Sequence, residues 1–229
     1  MSKEISQEKA QIKSKERVAD HGEVFTNKRE VNAMLDLVKG ESERIDSRFL
    51  EPACGDGNFL SEILNRKLIS VKNKYGKSPA DYEKYSIVAL TSIYGVELLE
   101  DNVKDCIDRL YDIWNDQYTK NCKDDANDEV RDAAKYILQK NILCGDALTL
   151  LQSNKEPIIF AEWSLAQGSM IKRRDFRLDQ MMEGHNDQMS LDMFVQGNEW
   201  EYDKEIDAMI PAPIKEYELM NYWEVQKNG

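Results

Sequence analysis

Four acidic side chains stand where short apolar runs give out. Glu51 closes Phe49-Leu50-Glu51, Asp56 sits between Gly55 and Gly57, Glu97 ends Ser92-Ile-Tyr-Gly-Val-Glu97, and Asp146 follows Asn141-Ile-Leu-Cys-Gly145. A carboxylate accepts hydrogen bonds from hydroxyls and amines, so acids placed this way suit a polar small molecule rich in donors. Gly55 and Gly57 permit positive φ and close backbone approach, which lets the chain reverse beside a ligand. Phe59, Leu60, Ile63, Leu64, Leu68 and Val71 then recur at helical spacing, and the whole stretch reads as strand, tight loop, helix. A loop opening a helix at the edge of a parallel sheet offers backbone N–H groups and a crevice to a nucleoside-bearing cofactor. An acid ending the second strand of such a fold hydrogen-bonds ribose hydroxyls, which makes Glu97 a candidate. A solvated glutamate heading the next helix is the other reading of Glu97, and a plain turn aspartate that of Asp146. Position 60 is leucine where the dinucleotide fingerprint has its third glycine, so a diphosphate ligand is disfavoured.

The run Glu51-Pro-Ala-Cys-Gly-Asp-Gly-Asn-Phe59 resembles the first motif of S-adenosylmethionine-dependent DNA methyltransferases. The nearest form is the Glu-Pro-Ala-x-Gly-x-Gly of adenine-N6 enzymes from restriction-modification systems. The resemblance implies S-adenosyl-L-methionine as cofactor, with Glu51, Ala53, Gly55, Asp56 and Gly57 in its binding loop. It gives Thr26, ahead of a helix, to the cofactor's methionine carboxylate, although Asn27 stands where a proline is common after that threonine. It gives Glu97 to the ribose, and Asp146, with Ala147 beside it, to the exocyclic amine of the adenine. This order, carboxylate motif before glycine loop, resembles the gamma class and extends from Thr26 to Ala161. The implied fold is the Rossmann-like class I methyltransferase fold, a doubly wound, mostly parallel α/β sheet.

The resemblance breaks after Pro157-Ile-Ile-Phe-Ala161, expected as a fourth strand. Adenine-N6 enzymes follow it with Asn-Pro-Pro-Tyr, which accepts from the target amine and stacks the flipped base. Here Glu162-Trp163-Ser164 follows, and Asn-Pro-Pro-Tyr occurs nowhere in the 229 residues. Glu162 has the acceptor and Trp163 the ring, so both are catalytic candidates, while a strand-end aromatic also serves a core. The implied protein is a subunit or truncated form of an adenine-specific DNA methyltransferase, inactive as the isolated chain. Its DNA would be held through a partner subunit carrying the catalytic motif and target recognition, in a hetero-oligomer. The alternative is a catalytically inactive cofactor-binding module that scaffolds or regulates a partner. A nucleotide-dependent oxidoreductase is opposed by the missing third glycine.

These residues must be positioned by alternating strands and helices. Thr26 can cap a helix with Val31, Met34, Leu35 and Val38 on one face, ended by Gly40. Ser78-Pro79 starts a helix containing Tyr82, Tyr85, Val88 and Ala89. Val103, Ile107, Leu110, Tyr111 and Trp114 mark another, and Val130, Ala133, Ala134 and Ile137 a further one. The expected organisation is a polar leader over 1–20, a cofactor-binding core over 21–165, and an irregular extension over 166–229. In that extension Lys172, Arg173, Arg174 and Arg177 can meet phosphates, stay solvated or pair with acids. Its aromatics and methionines can dock on another subunit or fold back.

With 41% hydrophobic residues the chain can bury one real core. Lys+Arg 31 against Asp+Glu 43 gives a net charge of −12, which argues against strong unspecific binding to phosphate backbones by the chain alone, so that any nucleic-acid contact is local or borrowed. Four cysteines without a C-x-x-C pair, and two histidines, give no pattern for a structural metal or a disulfide framework. Reduced thiols, no signal-peptide core and no apolar run of spanning length lead to the expectation of a cytoplasmic protein without membrane contact.

Overall fold

The computed structural model describes residues 13–21, 24, 26–183, 200–203 and 208–228. Most of the polar leader, part of the segment before Thr26 and the methionine-containing stretch 184–199 lie outside the described residues. Short helices α1 (Lys15–His21), α2 (Lys28–Leu37) and α3 (Lys39–Glu43) lead into strand β1 (Phe49–Glu51). Then come α4 (Asn58–Tyr75), α5 (Pro79–Thr91), β2 (Ile93–Glu97), α6 (Glu100–Cys122), α7 (Asp128–Asn141) and β3 (Ile142–Cys144). The remainder comprises β4 (Ile159–Leu165), β5 (Met170–Arg177), α8 (Leu178–Glu183), β6 (Trp200–Asp203), β7 (Ala208–Pro211), β8 (Lys215–Glu216), β9 (Met220–Asn221) and a closing 3-10 helix, Tyr222–Asn228.

The first three strands form a parallel sheet in the order β1-β2-β3, with Glu51 opposite Gly95 and Glu97 opposite Cys144. β2 is central and buried throughout, as a strand covered on both faces must be. On one face a Cβ built at Gly95 would lie 3.1 Å from Leu60 Cδ1, so α4 packs almost onto the backbone there. On the other, Tyr94 and Val96 join Ile158, Phe160 and Leu178 in a separate apolar cluster.

The helices follow their apolar periods. Ser78 caps α5, its Oγ accepting from Asp81 N at 3.3 Å, and Pro79 takes the first turn, where its missing N–H costs nothing. In α6 the stripe Asn102, Cys106, Leu110, Trp114, Tyr118, Cys122 is buried at four-residue spacing, with Val103, Ile107 and Tyr111 half-buried beside it. Val130, Ala133, Ala134 and Ile137 of α7 are all buried. Lys67 of α4 is wholly buried, its ammonium donating to the carbonyls of Arg44, Ile45 and Ser47 and to Ser92 Oγ. Burial pushes it down to about 7.

Two expectations are corrected. Asn27, not Thr26, caps α2, accepting from Arg29 N at 2.8 Å, and Gly40 lies within α3. The expected fourth strand forms, as β4, but does not join the parallel sheet. β4 pairs antiparallel with β5 along its whole length, Ile159 opposite Arg177 to Leu165 opposite Ile171, and β5 continues to β8 and β9. What the described residues form is a mixed α/β arrangement: a three-stranded parallel sheet with helices, this antiparallel sheet, and a separate antiparallel pair of β6 with β7. The tail folds back, burying Tyr222 and Val225, with Tyr222 Oη donating to Glu83 Oε1 at 2.8 Å.

Candidate functional site

The carboxyl ends of β1, β2 and β3 open into a cleft of about 640 Å³, a size that suits a small-molecule ligand. Glu51, Glu97 and the Gly145-Asp146 turn supply one end of each strand, Pro52 to Gly55 and the first turn of α4 form a wall, and Thr26 and Met34 approach from the N-terminal side.

The glycine loop is held from several sides. Cys54 N donates to Val96 O at 3.0 Å, and Gly55 N to Glu97 Oε2 at 2.9 Å. Gly55 has φ 53° and Gly57 φ 84°, conformations that a side chain opposes. A Cβ at Gly57 would also lie 2.7 Å from Cys106 Sγ. Glu97, nearly buried, has a second anchor: its Oε1 accepts from Leu99 N at 3.0 Å and from Asn102 Nδ2 at 3.4 Å. Asp146 makes a tight turn, Oδ1 accepting from Leu148 N at 2.8 Å. Glu51 is half-buried, its carboxyl has no hydrogen-bond partner among the described residues, and burial raises that carboxyl.

Of the residues expected from sequence, Thr26, Glu51, Ala53, Gly55, Glu97, Asp146 and Ala147 all line this cleft. Asp56 and Gly57 do not. Asp56 is 2% exposed and faces inward, its carboxylate accepting from Arg109 Nη1 at 3.1 Å and Nη2 at 2.5 Å. Gly57 serves the turn into α4 and the close approach of α6. Glu162 and Trp163 are also elsewhere. Glu162 is nearly buried between Arg48 and Arg174, and Trp163 is core, its Nε1 donating to Asn141 Oδ1 at 2.9 Å. The cause is the antiparallel pairing of β4, which turns this segment away from the parallel sheet's carboxyl edge. The basic cluster pairs with acids: Lys172 with Glu216, Arg173 with Asp175, Arg174 with Glu162, Arg177 with Asp179.

Sequence reasoning missed Arg109 and the apolar rim of Leu98, Met34 and Leu148. A signal for Arg109 existed. It is the sole arginine of an acid-rich helix, three residues beyond the small Cys106 that admits Gly57.

Among the described residues the cleft lining has three carboxylates, Glu51, Glu97 and Asp146, and no lysine, arginine or histidine. Such a site disfavours phosphates and favours ligands that donate hydrogen bonds or carry positive charge. Among the described residues no three His, Cys, Asp or Glu side chains gather as a metal site, and no helix is long and apolar enough to cross a membrane. No family model, no curated protein and no solved structure matches this chain.

Proposed function

We propose that this chain is the S-adenosylmethionine-binding subunit, or a truncated form, of a DNA adenine-N6 methyltransferase of a restriction-modification system. The observation that carries the reading is the cleft at the ends of three parallel strands, with a glycine loop on one wall, three acids and no basic side chain in its described lining. S-adenosylmethionine fits that chemistry: a nucleoside without phosphate, carrying a sulfonium and an ammonium. In this reading Glu97 meets the ribose, Asp146 and Ala147 the adenine, Glu51 the cationic methionine end, and Thr26 its carboxylate. The Rossmann-like, doubly wound architecture belongs to the same proposal, with β1 to β3 as one half of the sheet. Calorimetry with S-adenosylmethionine, S-adenosylhomocysteine and NAD tests it: the first two bind and NAD does not, whereas binding of NAD alone overturns the assignment.

In a complete enzyme the adenine amine attacks the sulfonium methyl in line, and the protein supplies position and acceptors. This chain supports the cofactor half only. Asn-Pro-Pro-Tyr is absent, Glu162 is engaged by two arginines and Trp163 is core. The same facts favour a second reading, an inactive cofactor-binding module that scaffolds a partner. Radiolabelled methyl transfer to mixed genomic DNA, with and without the product of the adjacent gene, separates them. Activity only with that product supports the split enzyme, and no activity in either arm supports the module.

A further inference from the structure

We infer that Arg109 of α6 is a positioning residue that sets the glycine loop for the methionine half of the cofactor. The inference rests on the cofactor assignment proposed above. Arg109 reaches the loop from behind. Its Nη1 donates to Asp56 Oδ1 at 3.1 Å and to Asn58 Oδ1 at 2.6 Å, and its Nη2 to Asp56 Oδ2 at 2.5 Å. One planar guanidinium thus ties the residue between the two glycines to the first residue of α4. Asn58 and Gly55 line the cleft, whereas Asp56 is 2% exposed and Arg109 is not part of the lining. The guanidinium therefore acts on a ligand only through the loop.

The geometry gives this clamp a direction. On its other side Gly55 N is held by Glu97 Oε2, and Cys106, one turn before Arg109, fills the space beneath Gly57. The segment from Gly55 to Asn58 is suspended between β2 and α6, with glycine torsions that have no side-chain preference of their own to hold them. Asp146 and Ala147, at the other end of the cleft, lie on a turn after β3 that Arg109 does not touch. Loosening the clamp therefore disturbs the loop end of the cleft and leaves the Asp146 end in place.

The test compares two ligands on three proteins: wild type, Arg109→Lys, and the neutral pair Asp56→Asn with Arg109→Gln. The ligands are S-adenosylmethionine and 5′-methylthioadenosine, which lacks the amino-acid half. A lysine keeps the charge opposite Asp56 but cannot bridge two acceptors with a planar fork, so S-adenosylmethionine affinity falls about tenfold while 5′-methylthioadenosine affinity stays within about twofold. The neutral pair removes the buried charge with its partner and gives the same selective loss in a chain whose fold is monitored by thermal melting. Equal losses for both ligands, or no loss in a folded variant, overturn the inference and leave Arg109 a structural ion pair. A wild-type chain that binds neither ligand overturns the cofactor assignment itself, and this inference with it.

Discussion

Glu97→Gln separates the loop anchor that the structure gives this carboxylate from the ribose contact proposed for it. Glu97 accepts from Gly55 N with Oε2 and from Leu99 N and Asn102 Nδ2 with Oε1. A carboxylate has about four lone-pair sites, so three donors leave one, on Oε2, for a ribose hydroxyl. Glutamine keeps the shape but replaces one oxygen with an amide that cannot accept. If its carbonyl stays on Leu99 and Asn102, the Gly55 amide faces a donor, and that unpaired bond costs about 1–3 kcal/mol. For a chain of this size each kcal/mol moves the melting temperature about 2–4 °C, so a loss near ~2 kcal/mol gives a drop of about 4–8 °C. The ligand effect is read separately. A ligand at a hundred times its dissociation constant adds about 2.7 kcal/mol of stability, and a tenfold weaker site loses about half of that increment. Differential scanning fluorimetry with and without S-adenosylmethionine measures both. An unchanged melting temperature in the free variant refutes the loop-anchor reasoning. A lowered one with an undiminished ligand increment refutes the ribose role and leaves Glu97 purely structural. Glu97→Ala, which removes both anchors, is the harsher change in fold and binding alike.

Gly57→Ala combines a φ of 84° with a Cβ 2.7 Å from Cys106 Sγ, and costs about 1–3 kcal/mol in urea unfolding. Adding Cys106→Ala relieves the contact but not the torsion, so the double variant recovers part of the loss, and full recovery or none contradicts one of the two causes. Lys67 is held near 7 against about 10.4 when unfolded, so the unfolded chain binds the extra proton between those values and wild-type stability rises with pH across that window. Lys67→Met strips this slope while lowering stability by leaving buried acceptors unpaired, and parallel pH profiles for the two proteins refute the assignment. Arg17 holds Asp101 down at about 2, pinning α1 to the start of α6 through exposed ion pairs. The Asp101 contribution is present above its unfolded value and is lost as pH falls toward 2. High salt should speed amide exchange in α1 without affecting α7, since such pairs are screened.

The elements that carry strong periodicity were legible. The helix faces at Leu60, Ile63 and Leu64, or at Val130 and Ile137, are fixed by burial of one stripe, and Ser78-Pro79 names its helix start by backbone chemistry alone. The cleft was legible because its acids end strands that the apolar runs already mark. Asp56, expected in the cofactor loop, turns its side chain away from the cleft, because sequence gives order but not the side of the loop on which a carboxylate emerges. Only the arginine fifty-three residues away explains why it turns inward. β4 was legible as a strand and not as a partner. Its pairing depends on the alternation of β5, whose arginines read as a basic cluster until each is seen opposite or beside its acid.

The electrostatics of the cleft bear on the split enzyme proposed above. Three carboxylates at the ends of adjacent strands suit a cationic ligand and repel a phosphate backbone, and the chain as a whole carries −12. In that proposal a duplex beside this cleft would draw positive charge from another surface, because the described arginines of β5 are all engaged by acids. In that reading Glu162 is no free acceptor for a target amine, since it lies outside the cleft lining and is engaged by Arg48 and Arg174. Freeing Glu162 by Arg48→Ala and Arg174→Ala would leave an acid still on an antiparallel strand, outside the lining. Methyl transfer by that double variant alone, where the wild-type chain gives none, would show that the separation of Glu162 from the cleft is smaller than the pairing of β4 with β5 implies.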